Sequence, residues 1–178
     1  MSETVALMRP QTLDLSSLYE AHARVVWRTL LRLGVSTAGI EDAVQEVFLT
    51  AHQRSEDFEG RSSASTWLLG ISVRVAANAR RAQQRRGFVV PLSAELPADA
   101  KGLDEALDRR RRLFDLEQVL RQLPDEQREV VVLMELEQLT APEVAEVLSV
   151  KLNTVYSRLR LARAALSTAL NDRREEAP

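Results

Sequence analysis

The chain has 178 residues, with 24 Lys+Arg, 26 Asp+Glu, two His and no Cys. Lacking cysteine, it can hold no disulfide framework and no thiolate metal site, which sets aside small secreted scaffolds and zinc modules and fits a reducing compartment. Aromatics are only 4%, and six Gly with six Pro are few for the tight turns of a sheet-rich fold, so an all-α protein is expected.

Residues 1 to 15 lack the basic-then-apolar pattern of a signal peptide, and no apolar run approaches the roughly 20 residues of a bilayer span. A cytoplasmic protein with no membrane span of its own is therefore expected. Leu15, Leu18, Val25, Leu30 and Leu33 form a loose helical stripe from Asp14 to Leu33, stopped by Gly34. The next stretch is cleaner. Ile40, Ala43, Val44, Val47, Phe48 and Ala51 recur at helical spacing, opposite a polar face of Glu41, Asp42, Gln45, Glu46 and Gln53, with the apolar Leu49 on the polar side. A third helix is predicted from Ser65 to Arg86, with Trp67, Leu68, Ile71, Val75 and Ala79 inward.

Between Gly87 and Gly102 the helical period stops and Pro91 and Pro97 appear. A linker of about 15 residues is long for the inside of one compact domain, so two domains are expected: residues 1–86 and 103–178, joined by a linker over 87–102. A helix is predicted from Leu103 to Leu123, with Leu113, Leu116, Leu120 and Leu123 inward. Its run Arg109 to Arg112 is spaced for ion pairs with neighbouring acids and reads as solvated surface. Pro124 opens another helix through Val130, Val131, Leu133, Met134 and Leu136.

The sharpest local signal begins at Leu139. Thr140 with Glu143 is spaced as a capping box, Pro142 is tolerated in a first turn, and Leu139 and Val144 occupy the two hydrophobic-staple positions. A short helix with Val144, Ala145 and Leu148 inward, a turn at Ser149 and Val150, and a longer helix with Val155, Leu159, Ala162 and Leu166 inward make a helix-turn-helix. The second helix turns Lys151, Asn153, Thr154, Tyr156, Ser157, Arg158, Arg160 and Arg163 mostly outward. Arginine can pair with guanine, asparagine with adenine, and Ser, Thr or Lys with phosphate. The competing reading is an ordinary helical hairpin in a bundle.

The net charge of −2 conceals a sorted pattern. Residues 60–94 carry six Arg and no acid, residues 151–171 carry one Lys and three Arg and no acid, and the stretches 1–59 and 95–150 are acidic. Two acid-free blocks give two places where a polyanion could touch. In the first block Arg74, Asn78, Arg81 and Arg85 line one helical stripe, near Trp67 and the polar loop from Gly60 to Ser65 that holds Arg61. That stripe suits a phosphate backbone or unpaired bases, and equally a solvated face without a partner.

Two blocks of residues carry a family likeness. Leu18 to Arg86, with Asp42-Ala43-Val44-Gln45-Glu46-Val47-Phe48-Leu49 and Ser65-Thr66-Trp67-Leu68, closely resembles region two of bacterial extracytoplasmic-function (ECF) sigma factors. Leu123-Pro124 through Gln127-Arg128, Glu143 to Leu148 and Thr154 to Leu159 resemble their region four. The resemblance spans nearly the whole chain with both blocks in order. It implies that the face of Asp42, Gln45, Glu46 and Leu49 docks on the clamp helices of the RNA polymerase largest subunit, and that region four reaches the polymerase flap. It further implies that Arg61, Trp67, Arg74, Asn78, Arg81 and Arg85 serve the minus-ten element, where a base leaves the stack. Lys151, Asn153, Thr154, Tyr156, Ser157, Arg158, Arg160 and Arg163 would read the minus-thirty-five element in the major groove. The implied partners are core RNA polymerase, promoter DNA and an anti-sigma protein, with no cofactor and no bond-making by the chain itself.

Three positions depart from the family pattern. Arg74 stands where many relatives have Asn, Ser149 replaces the common turn glycine, and Lys151 replaces the usual Ser or Thr cap, leaving Asn153 as the substitute cap. His22 and His52 have no second His at ligand spacing, and no metal site is expected.

Overall fold

The computed structural model describes residues 14–58, 60–85 and 116–175, the side chains of Asp57 and of residues 171–175 excepted. The expected linker, the start of the helix expected from Leu103 and the Arg109 to Arg112 run lie outside the described residues. Within them the chain is helical, with turns and no strand.

Helix α1 runs Leu15–Arg32. The Asp14 carboxylate accepts from the amides of Ser16 and Ser17 at 3.3 and 3.2 Å, satisfying two of the orphan donors of a helix start. Its inner stripe differs from the expected one at one point: Val26 is the fully buried valine, at 1% exposure, and Val25 is half-buried. At the far end the Val35 amide donates to Leu30 O and the Gly34 amide to Leu31 O, with Gly34 at φ +91°, a Schellman closure. Helix α2, Ile40–Gln53, follows a single 3-10 turn. All six residues predicted to face inward are buried. Helix α3 spans Ala64–Arg85, a residue earlier than expected, because the Ser63 hydroxyl accepts from the Thr66 amide and caps it. These three helices pack on one another around Leu30, Leu33, Val47, Leu68 and Ala76, each at most 1% exposed.

In the second half, helical residues 116–122 (α4) precede Pro124, and α5 runs Asp125–Val131 before a π-helical stretch over Val132–Leu136. Helix α6, Ala141–Leu148, and α7, Leu152–Glu175, form the helix-turn-helix. Leu120, Val130, Val132, Leu133, Val144, Val155 and Ala162 fill its core at 0% exposure, and Leu139 is buried as a staple residue should be. Lys151 occupies the cap position of α7: the amides of Thr154 and Val155 both donate to its carbonyl. Asn153 therefore lies inside the first turn, and the expectation of a substitute cap there is corrected. The carbonyl suffices to start the helix, and the turn before it holds the register.

That turn repeats the closure at the end of α1. The Val150 amide donates to Ala145 O and the Ser149 amide to Glu146 O, and Ser149 takes φ +54°, ψ +44°. A left-handed conformation costs an L-residue with a Cβ roughly 1–2 kcal/mol, part of which glycine forfeits through its freer unfolded chain. Ser149→Gly is expected to raise unfolding free energy by about 0.5–1 kcal/mol, read from the urea midpoint at unchanged m-value. A lower midpoint would show that the serine is not strained there.

Candidate nucleic-acid interface

Every polar residue predicted on the outer face of α2 is exposed: Glu41, Asp42, Gln45, Glu46 and Gln53. Leu49 stands among them at 58% exposure. On α1, Tyr19 is also half out in solvent, and its ring packs at a tilt of 59° on Phe48, 4.8 Å between centroids. The carboxylates of Glu41, Asp42 and Glu46 on the outer face of α2 would repel a polyanion. Tyr19 was absent from the sequence reading because its stripe position on α1 looks merely polar.

On α3, Arg74, Asn78, Arg81 and Arg85 are all exposed and share one stripe, with an Arg81 guanidinium nitrogen donating to Asn78 Oδ1. Trp67 is half-buried and packs on Phe58 at 5.2 Å. Arg61 is exposed in the preceding loop. The structure thus brings these six side chains to one end and one face of α3. This face looks across two clefts at the second half, one of about 190 Å³ between Trp67, Arg74, Glu143 and Glu146, the other of about 480 Å³ between Asn78, Arg81, Leu148 and Ser149.

On α7, Lys151, Asn153, Tyr156, Ser157, Arg160 and Arg163 are exposed and Thr154 is half-buried. Two arginines are already engaged within their own half. Arg158, half-buried, pairs with Glu126 at 2.7 Å, and Arg163 pairs with Glu135. Arg160 projects outward between them, so the surface offers one arginine immediately and two that must exchange a carboxylate for a phosphate.

Two arginines outside the expected site residues are the most constrained among the described residues. Arg80, 7% exposed, donates from Nη1 to Leu33 O at 2.6 Å, from Nε to Asp125 at 3.1 Å and from Nη2 to Glu129 at 2.9 Å. Arg128, 6% exposed, donates to the carbonyls of Leu120, Arg121 and Leu123 and to Asp125. Burial pulls Arg128 below the ordinary guanidinium value, and Asp125 opposes the shift. Burial also lifts the Glu129 carboxyl, with the hydrogen bond from Arg80 opposing. A signal was present: Arg80 continues the buried series Leu69, Val73 and Ala76 at helical spacing, so it had to point inward.

Among the described residues no group of three or more His, Asp or Glu is placed to hold a metal, and no helix is long and apolar enough to cross a membrane. What the geometry offers is charge and hydrogen-bond donors on helix surfaces, one of them a helix-turn-helix: the equipment of a DNA-binding protein of the helix-turn-helix class.

Comparison with known proteins fixes the class more narrowly. Residues 18–86 match the model of Sigma-70 region 2, and residues 113–166 match that of Sigma-70 region 4. The chain is 32% identical to the ECF RNA polymerase sigma-E factor of Haemophilus influenzae, over 79% of each chain. It is 29% identical to the RNA polymerase sigma factor NccH of Alcaligenes xylosoxydans xylosoxydans, over 86% of this chain and 84% of that one. In fold it is similar to CnrH, solved in complex with the cytosolic domain of CnrY (TM-score 0.67, 23% identity, 89% of this chain and 88% of that one). It is equally similar to the sigma factor RpoE of Bartonella quintana, solved in complex with the anti-sigma factor NepR (TM-score 0.67, 22% identity, 89% and 97% covered). The chain belongs to the ECF sigma factor family, whose members direct promoter-specific initiation of transcription by RNA polymerase.

The start of α6 gives a pH test of the helix-turn-helix. The Thr140 amide and hydroxyl both donate to the Glu143 carboxylate, at 2.8 and 2.7 Å, and these bonds hold its carboxyl below the ordinary value of 4.5. A carboxyl whose folded value is depressed stabilises above its unfolded value, and the contribution is lost as pH falls through the folded one. Glu143→Gln is expected to remove that share of the acid-induced fall in Tm below pH 4.5 while the share from the similarly depressed Asp14 persists. An unchanged acid limb would reject the capping box as a source of stability.

Proposed function

We propose that the two halves divide the work of promoter recognition. Residues 1–86 dock on the clamp helices of the core polymerase largest subunit and take up the melted minus-ten element. Residues 103–178 reach the flap and read the minus-thirty-five element, and the linker over 87–102 spans between them. The observation that carries this reading is Leu49, a large apolar side chain 58% exposed between Asp42, Gln45 and Glu46 on a helix whose opposite face is fully packed. An exposed leucine beside Asp42 and Glu46 has no role in a free-standing duplex binder, because those carboxylates would repel the phosphate backbone. It has one on a surface that meets a basic, partly apolar helix pair.

On the DNA side, Arg61, Trp67, Arg74, Asn78, Arg81 and Arg85 offer cations and one aromatic ring to an unpaired strand, the combination that holds single strands by phosphate contact and stacking. Lys151, Asn153, Thr154, Tyr156, Ser157, Arg158, Arg160 and Arg163 surround the start and outer face of α7, the position of a recognition helix. The chain itself makes and breaks no bond. Its binding free energy for the polymerase and for melted DNA shifts the closed-to-open promoter equilibrium, and catalysis stays with the polymerase. It works in the cytoplasm, under control of an anti-sigma protein that covers its docking surfaces.

Two substitutions separate the assignments. Asp42→Lys with Glu46→Lys is expected to abolish association with core polymerase in pull-down while helical content is kept, since both side chains are solvent-exposed; retained association would reject the α2 face. Arg160→Ala in the holoenzyme is expected to weaken binding to a selected minus-thirty-five duplex and to lower the slope of log K against log salt by about one. Loss of sequence preference without a change of slope would instead make Arg160 a base contact.

A further inference from the structure

Three large apolar side chains within the first ten residues of α7 stand in solvent: Leu152, Tyr156 and Leu161, at 41, 52 and 48% exposure. Single exposed leucines are ordinary on a protein surface, but three such side chains on the outer face of one helix form a patch. At 3.6 residues per turn, the order across the outward face is Leu152, Tyr156, Arg160, Asn153, Ser157, Leu161, all exposed. Polar side chains fill the middle of that face and apolar ones form both rims. Val155, Leu159 and Ala162 hold the opposite face in the core, so the core makes no claim on Leu161. Leu161 was not among the expected reading residues.

The surroundings decide what such a patch can meet. Leu49 on α2 stands beside carboxylates, whereas Leu161 follows Arg160 in a stretch, residues 151–171, that holds one Lys, three Arg and no acid. That charge draws a polyanion. The major groove of duplex DNA displays one apolar group, the C5-methyl of thymine, and its other base edges are hydrogen-bond donors and acceptors. An apolar side chain set against those edges would strip their water and return no bond. Set against the methyl, it takes two apolar surfaces out of water together.

We propose, resting on the reading of α7 as the minus-thirty-five helix, that Tyr156 and Leu161 determine specificity by each packing on a thymine methyl of that duplex. Leu161 lies five residues beyond Tyr156, about 7.5 Å along the helix axis. Stacked base pairs are about 3.4 Å apart, so the two methyls belong to different pairs. The promoter sequence that this chain prefers carries thymine at both rims of the contact, with Asn153, Ser157 and Arg160 between them.

Uracil in place of thymine tests the contacts, because it removes the methyl and keeps every hydrogen-bonding group of the pair. Holoenzyme assembled with the full chain is titrated, by fluorescence anisotropy, against a selected minus-thirty-five duplex and against copies with deoxyuridine at one thymine at a time. Burial of one methyl corresponds to about fourfold in affinity. The parent is expected to lose about that factor at two positions. Leu161→Ala is expected to weaken binding to the thymine duplex at least as much and to become indifferent to uracil at one of those positions. Tyr156→Ala is expected to do the same at the other. Both side chains are exposed and alanine is the strongest helix former, so the helix-turn-helix keeps its fold. Removing Leu161 takes away no charge, so the parent's salt slope is expected to persist, unlike the result expected for Arg160→Ala.

A selected sequence without thymine, a parent insensitive to every uracil, or alanine variants that still separate thymine from uracil as the parent does overturns the proposal. A holoenzyme that binds a scrambled minus-thirty-five duplex equally well overturns the reading of α7 together with the thymine contacts. One that prefers the selected duplex and ignores its methyls overturns the thymine contacts alone.

Discussion

Two guanidinium groups are buried, and the segments around them are arranged to satisfy them. Arg80 and Arg128 share the carboxylate of Asp125, one on each oxygen, and direct their remaining donors to the carbonyls of Leu33, Leu120, Arg121 and Leu123 and to Glu129. Those acceptors come from the end of α1, the end of α4 and the first turns of α5. A buried guanidinium without partners would cost several kcal/mol, so the three chain segments are bound to one mutual geometry. The carbonyls at the end of α4 gain from the same contact, since a helix C-terminus leaves acceptors unfilled that Arg128 fills. Gly34 belongs to this constraint twice over: its left-handed φ closes α1, and its missing Cβ leaves room for both arginines.

Pairing of arginine with carboxylate recurs on the outer face of α7. Arg158 and Arg163 are paired with Glu126 and Glu135 across the short distance from α7 to α5 and the π-helical segment. Binding phosphate there is an exchange of one anion for another, and its net gain is smaller than the count of arginines suggests. A chain of net charge −2 thus avoids general attraction to nucleic acid, while two local surfaces keep the donors that a correctly placed duplex or single strand would recruit.

The sequence carried the helices well because each has a periodic apolar face and a chemically marked end. All six inner positions of α2, the Thr140–Glu143 pair, the staple of Leu139 and Val144 and the inward series Val155, Leu159, Ala162 are realised as read. Smaller misses have local causes. At Val25 and Val26 two adjacent valines can satisfy a 3.6-residue stripe, and packing against neighbouring helices chooses between them. At Asn153, side-chain identity suggested a cap that the Lys151 carbonyl had already made unnecessary. The interface between the halves was hidden for a different reason. Arg28, Arg32 and Arg80 sit about 45 to 110 positions from the acids they meet, and no local spacing encodes a partner that far along the chain. Only the register of Arg80 with a buried stripe betrayed that it pointed inward.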